Sequence, residues 1–542
     1  MKRTYTVAIL AGLCACVLAQ AFFSMRQKSL TYDEVAYIPA GYSYVVTGDF
    51  RLNHEQPPLM KLLAGVAILP LHPHLPVESE SWRAAGEGHL NTQWEFGNEF
   101  LRAAGADLQR LVLLARLPVV LVTMLLVVGV FLFARDLYGP WAGVLAAALC
   151  AFDPNILAHG RLSTTDLGLT CFVLWAVWAY RRLARNPTAG NLLMAGALLG
   201  LALLTKFSGL FLLALYPLWA LVLPFLPKGI TVPGGRWGRW PQHVLANRLV
   251  YSVGMTVMVM LVALVVVSLG YFAPGRVDIY FRDFFVVNVN VNLRYETYFH
   301  GAFHDGRLWY YFLAAFLLKT PLAFLLLLLL RGATQLWHRE EGWADRVLLF
   351  SPVAIWFVII SWKAFQIGLR YVLPVYPFLF VYAAGIVASP LFARREMRLA
   401  VGALMVWFVA SSAAVYPNYL TYFNEIAGGP SHGIEWLDDS NVDWGQDVIL
   451  LRDFLDTYGI TDAKLTPMAR YDPALYGLPG VDVPPHVAVG LLSRPNPPPG
   501  IYAVSAHLLN RAKLPGAPLV DPLRDLRPVA VLGNTIYIFD LR

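Results

Sequence analysis

Apolar runs succeed one another along the first 416 residues, at 6–23, 117–134, 141–158, 167–181, 190–205, 209–226, 249–272, 310–330, 347–361, 372–392 and 399–416. A helix needs roughly 20 mostly apolar residues to cross about 30 Å of hydrocarbon, and inside lipid only helices or closed barrels satisfy their own backbone. The pattern therefore predicts an all-α polytopic membrane protein with about eleven transmembrane helices. Composition agrees. The chain is 57% hydrophobic and 14% charged, where soluble domains hold about 45–50% apolar and about 25% charged residues.

Basic residues orient the bundle. They cluster at Lys2–Arg3, Arg135, Arg181 to Arg185, Lys228 to Arg248, Arg331 to Arg346 and Arg394 to Arg398. These positions fall on alternate loops, which is the positive-inside pattern of cytoplasmic segments. The net charge of +7 is explained by orientation signals, and no nucleic-acid motif accompanies it. The expected location is the cell (inner) membrane, multi-pass, with a cytoplasmic N-terminus. Loops 24–116, 159–166, 206–208, 273–309 and 362–371 and everything after 417 are then extracytoplasmic. Cys14, Cys16, Cys150 and Cys171 lie within or beside apolar runs, so no disulfide framework is expected.

The segment 417–542 has no run of spanning length. A helical stretch at 446–458 and strand-like stretches at 500–506 and 529–539 predict a small C-terminal α/β domain behind a transmembrane domain of residues 1–416. Pro495–Pro499 is the one proline-rich tract. Asp438, Asp439, Asp443 and Asp447 suit either a cation or the start of a helix, and are read as a helix start.

Chemistry concentrates at the extracytoplasmic loop edges. Asp33-Glu34 follows the first run directly, and two adjacent carboxylates at a membrane face are costly unless something uses or solvates them. His54-Glu55-Gln56-Pro57-Pro58-Leu59-Met60-Lys61 lies further along the same loop, where two prolines set a rigid corner. Asp166 stands where the fourth run begins, either as a helix cap or turned toward Asp33 and Glu34. Arg116, Arg161, Lys206, Lys363 and Arg370 are cations on the side the positive-inside rule leaves poor in them. Singly each can snorkel. Together they suggest a seat for a phosphate. Acids for proton transfer or metal binding beside such a seat, at the outer bilayer surface, suit a sugar donor activated by a lipid phosphate.

On Asp33-Glu34, Pro57-Pro58-Leu59 with Lys61, Asp166, Lys206 and Arg370-Tyr371-x-Leu373-Pro374, the chain resembles the polyprenyl-phosphate-dependent glycosyltransferases of the GT-C fold, the protein O-mannosyltransferases and lipid A aminoarabinose transferases. The resemblance covers about residues 1–416. It implies a GT-C-like bundle that moves a hexosyl or pentosyl group from a polyprenyl-phosphate donor to a protein, lipid or glycan acceptor. Asp33 would be the catalytic base, and Glu34 and Asp166 would hold the acceptor or a divalent metal. Lys206, Arg370, Arg161 and Lys61 would face the donor phosphate. His54, Glu55, Pro57 and Pro58 would position the loop or the acceptor. The competing class is a transporter or flippase for a lipid-linked saccharide, which ordinarily carries its ionisable residues within the spans.

Overall fold

The structure, a computed structural model, describes residues 3–89, 91–232, 245–272, 277–290, 296–337, 342–478, 481–482, 498–511 and 526–542. Most of the basic loop 228–248, residues 338–341 of the loop 331–346, and Pro495 to Pro497 lie outside the described residues. Every apolar run is helical. Among the described residues seven helices are long and apolar enough to cross a membrane: Thr4–Met25, Leu108–Tyr138, Phe207–Phe225, Leu245–Gly270, Trp343–Lys363, Leu369–Ala388 and Arg395–Ala414. The pair Tyr311–Lys319 and Leu322–Gln335, bent by 107°, makes an eighth if it is one span.

The remaining runs are helical but short or polar at one end, which is why about eleven runs give seven or eight full spans. Run 141–158 breaks at Asp153, whose carboxylate accepts from the amides of Asn155 and Ile156 at 2.9 Å and starts a new helix, Pro154–His159. Run 190–205 forms a helix of 17 residues, Ala189–Thr205. Run 167–181 lies in Asp166–Arg185, which is buried along almost its whole length and ends in Arg181, Arg182 and Arg185. That helix sits in the middle of the bundle, and its first residue is a candidate site residue.

The first long loop folds into Glu34–Thr47, Leu59–Ile68, Glu80–Gly86 and Thr92–Ala104. The first two cross backbone to backbone through glycines. A Cβ on Gly41 would lie 1.9 Å from the Lys61 carbonyl oxygen, and one on Gly65 would lie 2.3 Å from the Gly41 carbonyl oxygen. Only glycine permits that approach, which fixes the distance between Asp33 and the Pro57-Pro58 corner. Thr92–Ala104 closes against the same helix, with Gly97 set over the Val35 carbonyl.

Beyond 417 the chain first lies along the bundle and then forms a five-stranded sheet. From edge to edge its strands are Val481–Asp482, Lys464–Thr466, Ile501–Ser505, Ile536–Asp540 and Ala530–Leu532. The first three are parallel and the last two add antiparallel. The predicted helix and the strand at 500–506 appear as Val448–Thr457 and Ile501–Ser505. The stretch 529–539 is a hairpin rather than one strand, because Gly533 and Asn534 at positive φ turn the chain. The sheet and helix Val448–Thr457 share one apolar core with the first loop, where Val35, Phe96 and Phe100 join Leu451, Leu455 and Ile538.

Candidate active site

Four helix ends bring the charged residues together. Asp33 precedes helix Glu34–Thr47, Asp166 opens Asp166–Arg185, Lys206 follows Ala189–Thr205 with extended backbone, and Arg370 opens the span Leu369–Ala388. Neither acid caps its helix with its side chain; each spends its carboxylate on a cation. Arg370 Nη1 lies 2.6 Å from Asp33 Oδ2 and 4.0 Å from Asp166 Oδ2. Lys206 Nζ lies 2.6 Å from Asp166 Oδ1. Asp33, Arg370, Asp166 and Lys206 thus form a chain of alternating charge, two negative and two positive, in a largely buried setting. Burial holds the Asp33 carboxyl above the ordinary carboxylate range although Arg370 pulls it down.

Aromatic rings hold the cations in place. The Arg370 guanidinium lies 4.4 Å from the Trp444 ring centroid, and Lys206 Nζ lies 4.7 Å from that of Tyr371. Trp444 arrives from the tail, which is clamped to the first loop by main-chain bonds from Ser29 to Gln446 at 3.0 Å and from Tyr32 to Trp444 at 2.9 Å. A second clamp holds the Arg370 segment, where the Leu369 amide donates to Asn441 Oδ1 at 2.8 Å and Gly368 passes close to Ser440. His159 is buried in the same neighbourhood, edge-on to Trp444 at 6.1 Å. Burial lowers its pKa to about 3, so its imidazole is neutral.

Glu34 faces the other way. Its two oxygens take Arg116 Nε and Nη2 at 2.8 and 2.7 Å, the Thr31 amide and hydroxyl at 2.8 and 3.0 Å, and the Ser163 amide at 2.7 Å. Burial alone would raise its pKa, but Arg116 and these donors hold it below the ordinary value. Glu34 and Arg116 are both fully buried, so Glu34 braces the base of the site rather than lining it.

Lys61 is also spoken for. Its ammonium donates to the carbonyls of Asn53 and Gln56 at 2.7 Å, to Asn53 Oδ1 at 3.0 Å and to Tyr44 Oη at 3.1 Å, and so holds the loop corner. Pro57 and Pro58 lead into Leu59–Ile68, with Pro58 as its N-cap. His54 Nδ1 lies 3.1 Å from Asp283, and Glu55 accepts from Gln93 at 2.9 Å. Arg161 is buried over the Tyr419 ring at 5.5 Å, and its Nε and Nη1 have no hydrogen-bond partner among the described residues.

In this structure the Arg370 guanidinium stands against both carboxylates, 2.6 Å from Asp33 and 4.0 Å from Asp166. Among the described residues no group of three His, Cys, Asp or Glu is placed to hold a metal ion. The acid-rich tail has other duties. Asp447 starts helix Val448–Thr457 without capping it by its side chain, and instead pairs with Lys28 and accepts from Thr535 at 2.8 Å. Asp438 pairs with His507 at 3.0 Å. Sequence reasoning missed Trp444 and His159, and saw Arg116 only as an isolated cation. The signals were present in Trp444-Gly445-Gln446 and in His159-Gly160-Arg161, but nothing local says which distant residue each meets.

Part of the chain matches a known family. The family model described as dolichyl-phosphate-mannose-protein mannosyltransferase matches residues 112–271, a stretch that holds Arg116, Arg161, Asp166 and Lys206 but neither Asp33 nor Arg370. The resemblance seen in the sequence is therefore found again over that stretch. A comparison with curated proteins finds no match. Among solved structures the chain is similar to ArnT from Cupriavidus metallidurans in the apo state, at 15% identity and a TM-score of 0.46 over 99% of this chain and 98% of that one. A structure of the same protein bound to undecaprenyl phosphate gives 16% identity and a TM-score of 0.44 over the same shares. It is also similar to the oligosaccharyltransferase AglB from Archaeoglobus fulgidus in complex with an inhibitory peptide and a dolichol-phosphate. There the identity is 13% and the TM-score 0.45, over 93% of this chain and 70% of that one.

Proposed function

We propose that this chain is a membrane glycosyltransferase that moves a sugar from a polyprenyl-phosphate donor to an acceptor hydroxyl. The carrying observation is the alternating cluster Asp33–Arg370–Asp166–Lys206, together with the family match that spans two of its four members. Asp33 takes the proton of the acceptor hydroxyl. The acceptor oxygen attacks the anomeric carbon, the bond from that carbon to the phosphate oxygen breaks, and polyprenyl phosphate leaves. General-base help of this kind contributes about 10²–10⁴-fold. Asp166, Lys206 and Arg370 orient the groups, with the two cations toward the phosphate. Glu34, Lys61 and Pro57-Pro58 support the loop, and His54 and Glu55 border it.

Charge balance favours this assignment. At rest two carboxylates offset two cations, so the cluster carries no surplus charge. Protonating Asp33 leaves Arg370 and Lys206 with one carboxylate fewer to offset, just as the leaving phosphate gains a negative charge. The positive charge needed by the product is released by the step that makes it. One displacement with no carboxylate free to act as a covalent nucleophile gives inversion at the anomeric carbon. The alternation of basic loops supports a position of the cluster and the C-terminal domain on the extracytoplasmic face of the cell (inner) membrane, where a lipid-anchored donor is available and a soluble nucleotide sugar is not.

The test uses membranes containing the full chain, supplied with radiolabelled polyprenyl-phosphate sugars. Asp33→Asn should abolish transfer while the protein remains folded. Transfer near the wild-type rate would refute the base assignment.

A further inference from the structure

A cleft of about 900 Å³ opens between helices Glu80–Gly86 and Thr92–Ala104 and the tail segment 469–472. That is the upper end of the range for small-molecule sites, about 300–1,000 Å³. Trp94 lines the cleft, and its ring meets Tyr32 edge-on with centroids 4.8 Å apart. Tyr32 immediately precedes Asp33, so the cleft wall at Trp94 is joined to the proposed base by one ring contact and one peptide step. Arg470 stands over both rings, 5.8 Å from the centroid of Tyr32 and 5.5 Å from that of Trp94, and ties the loop wall to the tail wall.

The lining selects against most acceptors. Glu80, Glu95, Glu99 and Asp472 face Arg102 and Arg470, four negative groups against two positive, for a net charge of −2. Arg102 pairs with Asp472 at 3.4 Å and Ser81 donates to Glu99 at 2.7 Å, while Glu80 and Glu95 make no hydrogen bond or ion pair among the described residues. A polyanionic acceptor is repelled by such a surface. An extended peptide finds the tail wall occupied: Asn98 donates to the Arg470 carbonyl at 2.9 Å and accepts from the Asp472 amide at 3.2 Å. An uncharged sugar chain meets none of these objections. Its hydroxyls donate to free carboxylates and its C–H faces pack on the aromatic pair.

The geometry points to this cleft as the acceptor seat and to a neutral saccharide chain as the acceptor class, an inference that rests on the transferase reading above. A hydroxyl of that saccharide then gives its proton to Asp33 and its oxygen to the anomeric carbon, as polyprenyl phosphate departs.

Saturation-transfer NMR on the full chain in detergent micelles tests this with trisaccharides of glucose, mannose and N-acetylglucosamine. A serine- and threonine-containing peptide and a sialylated trisaccharide serve as contrasts. At least one neutral trisaccharide should bind, and Trp94→Ala should weaken it roughly tenfold, about 1.4 kcal/mol. The double variant Glu80→Gln/Glu95→Gln alters only exposed side chains and keeps the test open if Trp94→Ala does not fold; it should weaken the neutral ligand and admit the sialylated one. Asp33→Asn should leave binding intact. The assignment is overturned if no neutral saccharide binds, if the peptide or the sialylated sugar binds wild type instead, or if the cleft variants change nothing. Saccharide binding without turnover of any polyprenyl-phosphate sugar would refute the transferase reading, and with it the acceptor role, and leave the cleft a saccharide-binding site only. Turnover onto the peptide without saccharide binding would refute the cleft alone.

Discussion

Two acid–arginine pairs begin at neighbouring residues and end with opposite fates. Glu34 and Arg116 are both 0% exposed, and five donor contacts from Arg116, Thr31 and Ser163 saturate the carboxylate. The Asp33 and Arg370 side chains are 16% and 9% exposed, and among the described residues the carboxylate has one strong partner and Arg370 Nε has none. A carboxylate whose lone pairs are all taken cannot accept a proton at low cost. One held by a single cation in a partly open cavity can. The lesson is that adjacent residues with the same chemistry can differ sharply in how completely they are satisfied, Glu34 saturated as a brace and Asp33 left open for the role of base proposed above.

The comparison breaks most visibly on the brace side. Glu34→Gln leaves Arg116 buried without its counter-charge, and losing one member of a buried pair costs about 3–5 kcal/mol. Thermal unfolding in micelles should show that loss, with the double variant Glu34→Gln/Arg116→Met losing less than the sum of the two single changes. Next in size is Gly41→Ala. Its added Cβ meets the Lys61 carbonyl, a forced overlap of a kind that costs about 1–3 kcal/mol, and it moves Asp33 relative to the corner. The same unfolding assay should show the loss, and turnover per folded molecule should drop with it.

Smaller effects sharpen the base side. Trp444→Phe keeps a ring in this buried position but weakens the contact beneath Arg370, worth about 0.5–2 kcal/mol, and should lower kcat/KM more than it lowers the unfolding temperature. The pH profile comes last. A base works only when ionised, and burial raises Asp33 above its ordinary value, so the acid limb of kcat/KM moves upward. Activity should rise with pH through a value above the ordinary aspartate value of about 3.9 and then level off. A limb at or below that value would show that Asp33 is not the titrating base.

Much of this was legible in the sequence, and what was not has a common cause. Apolar length revealed the bundle, and the loop edges singled out Asp33, Asp166, Lys206 and Arg370, which the fold brings into contact, because charge at a membrane boundary is costly and therefore conspicuous. Pairing was not legible. Glu34 meets Arg116 across 82 positions and Arg370 meets Asp33 across 337, and no local pattern encodes a contact of that range. Lys61 looked like a phosphate ligand because cations usually are, yet it is consumed by carbonyls that appear only once the corner has folded. The breaks at Asp153 and between Lys319 and Leu322 were hidden because hydropathy averages over a single buried polar residue or a Thr-Pro step.

The most direct measurement is transfer per folded molecule for Asp33→Asn and Glu34→Gln, side by side in the same membranes. The account predicts that Asp33→Asn is as abundant and as stable as wild type and transfers nothing. It predicts that Glu34→Gln is scarce and unstable, while its folded fraction still transfers sugar. An active Asp33→Asn, or a stable and inactive Glu34→Gln, would contradict it.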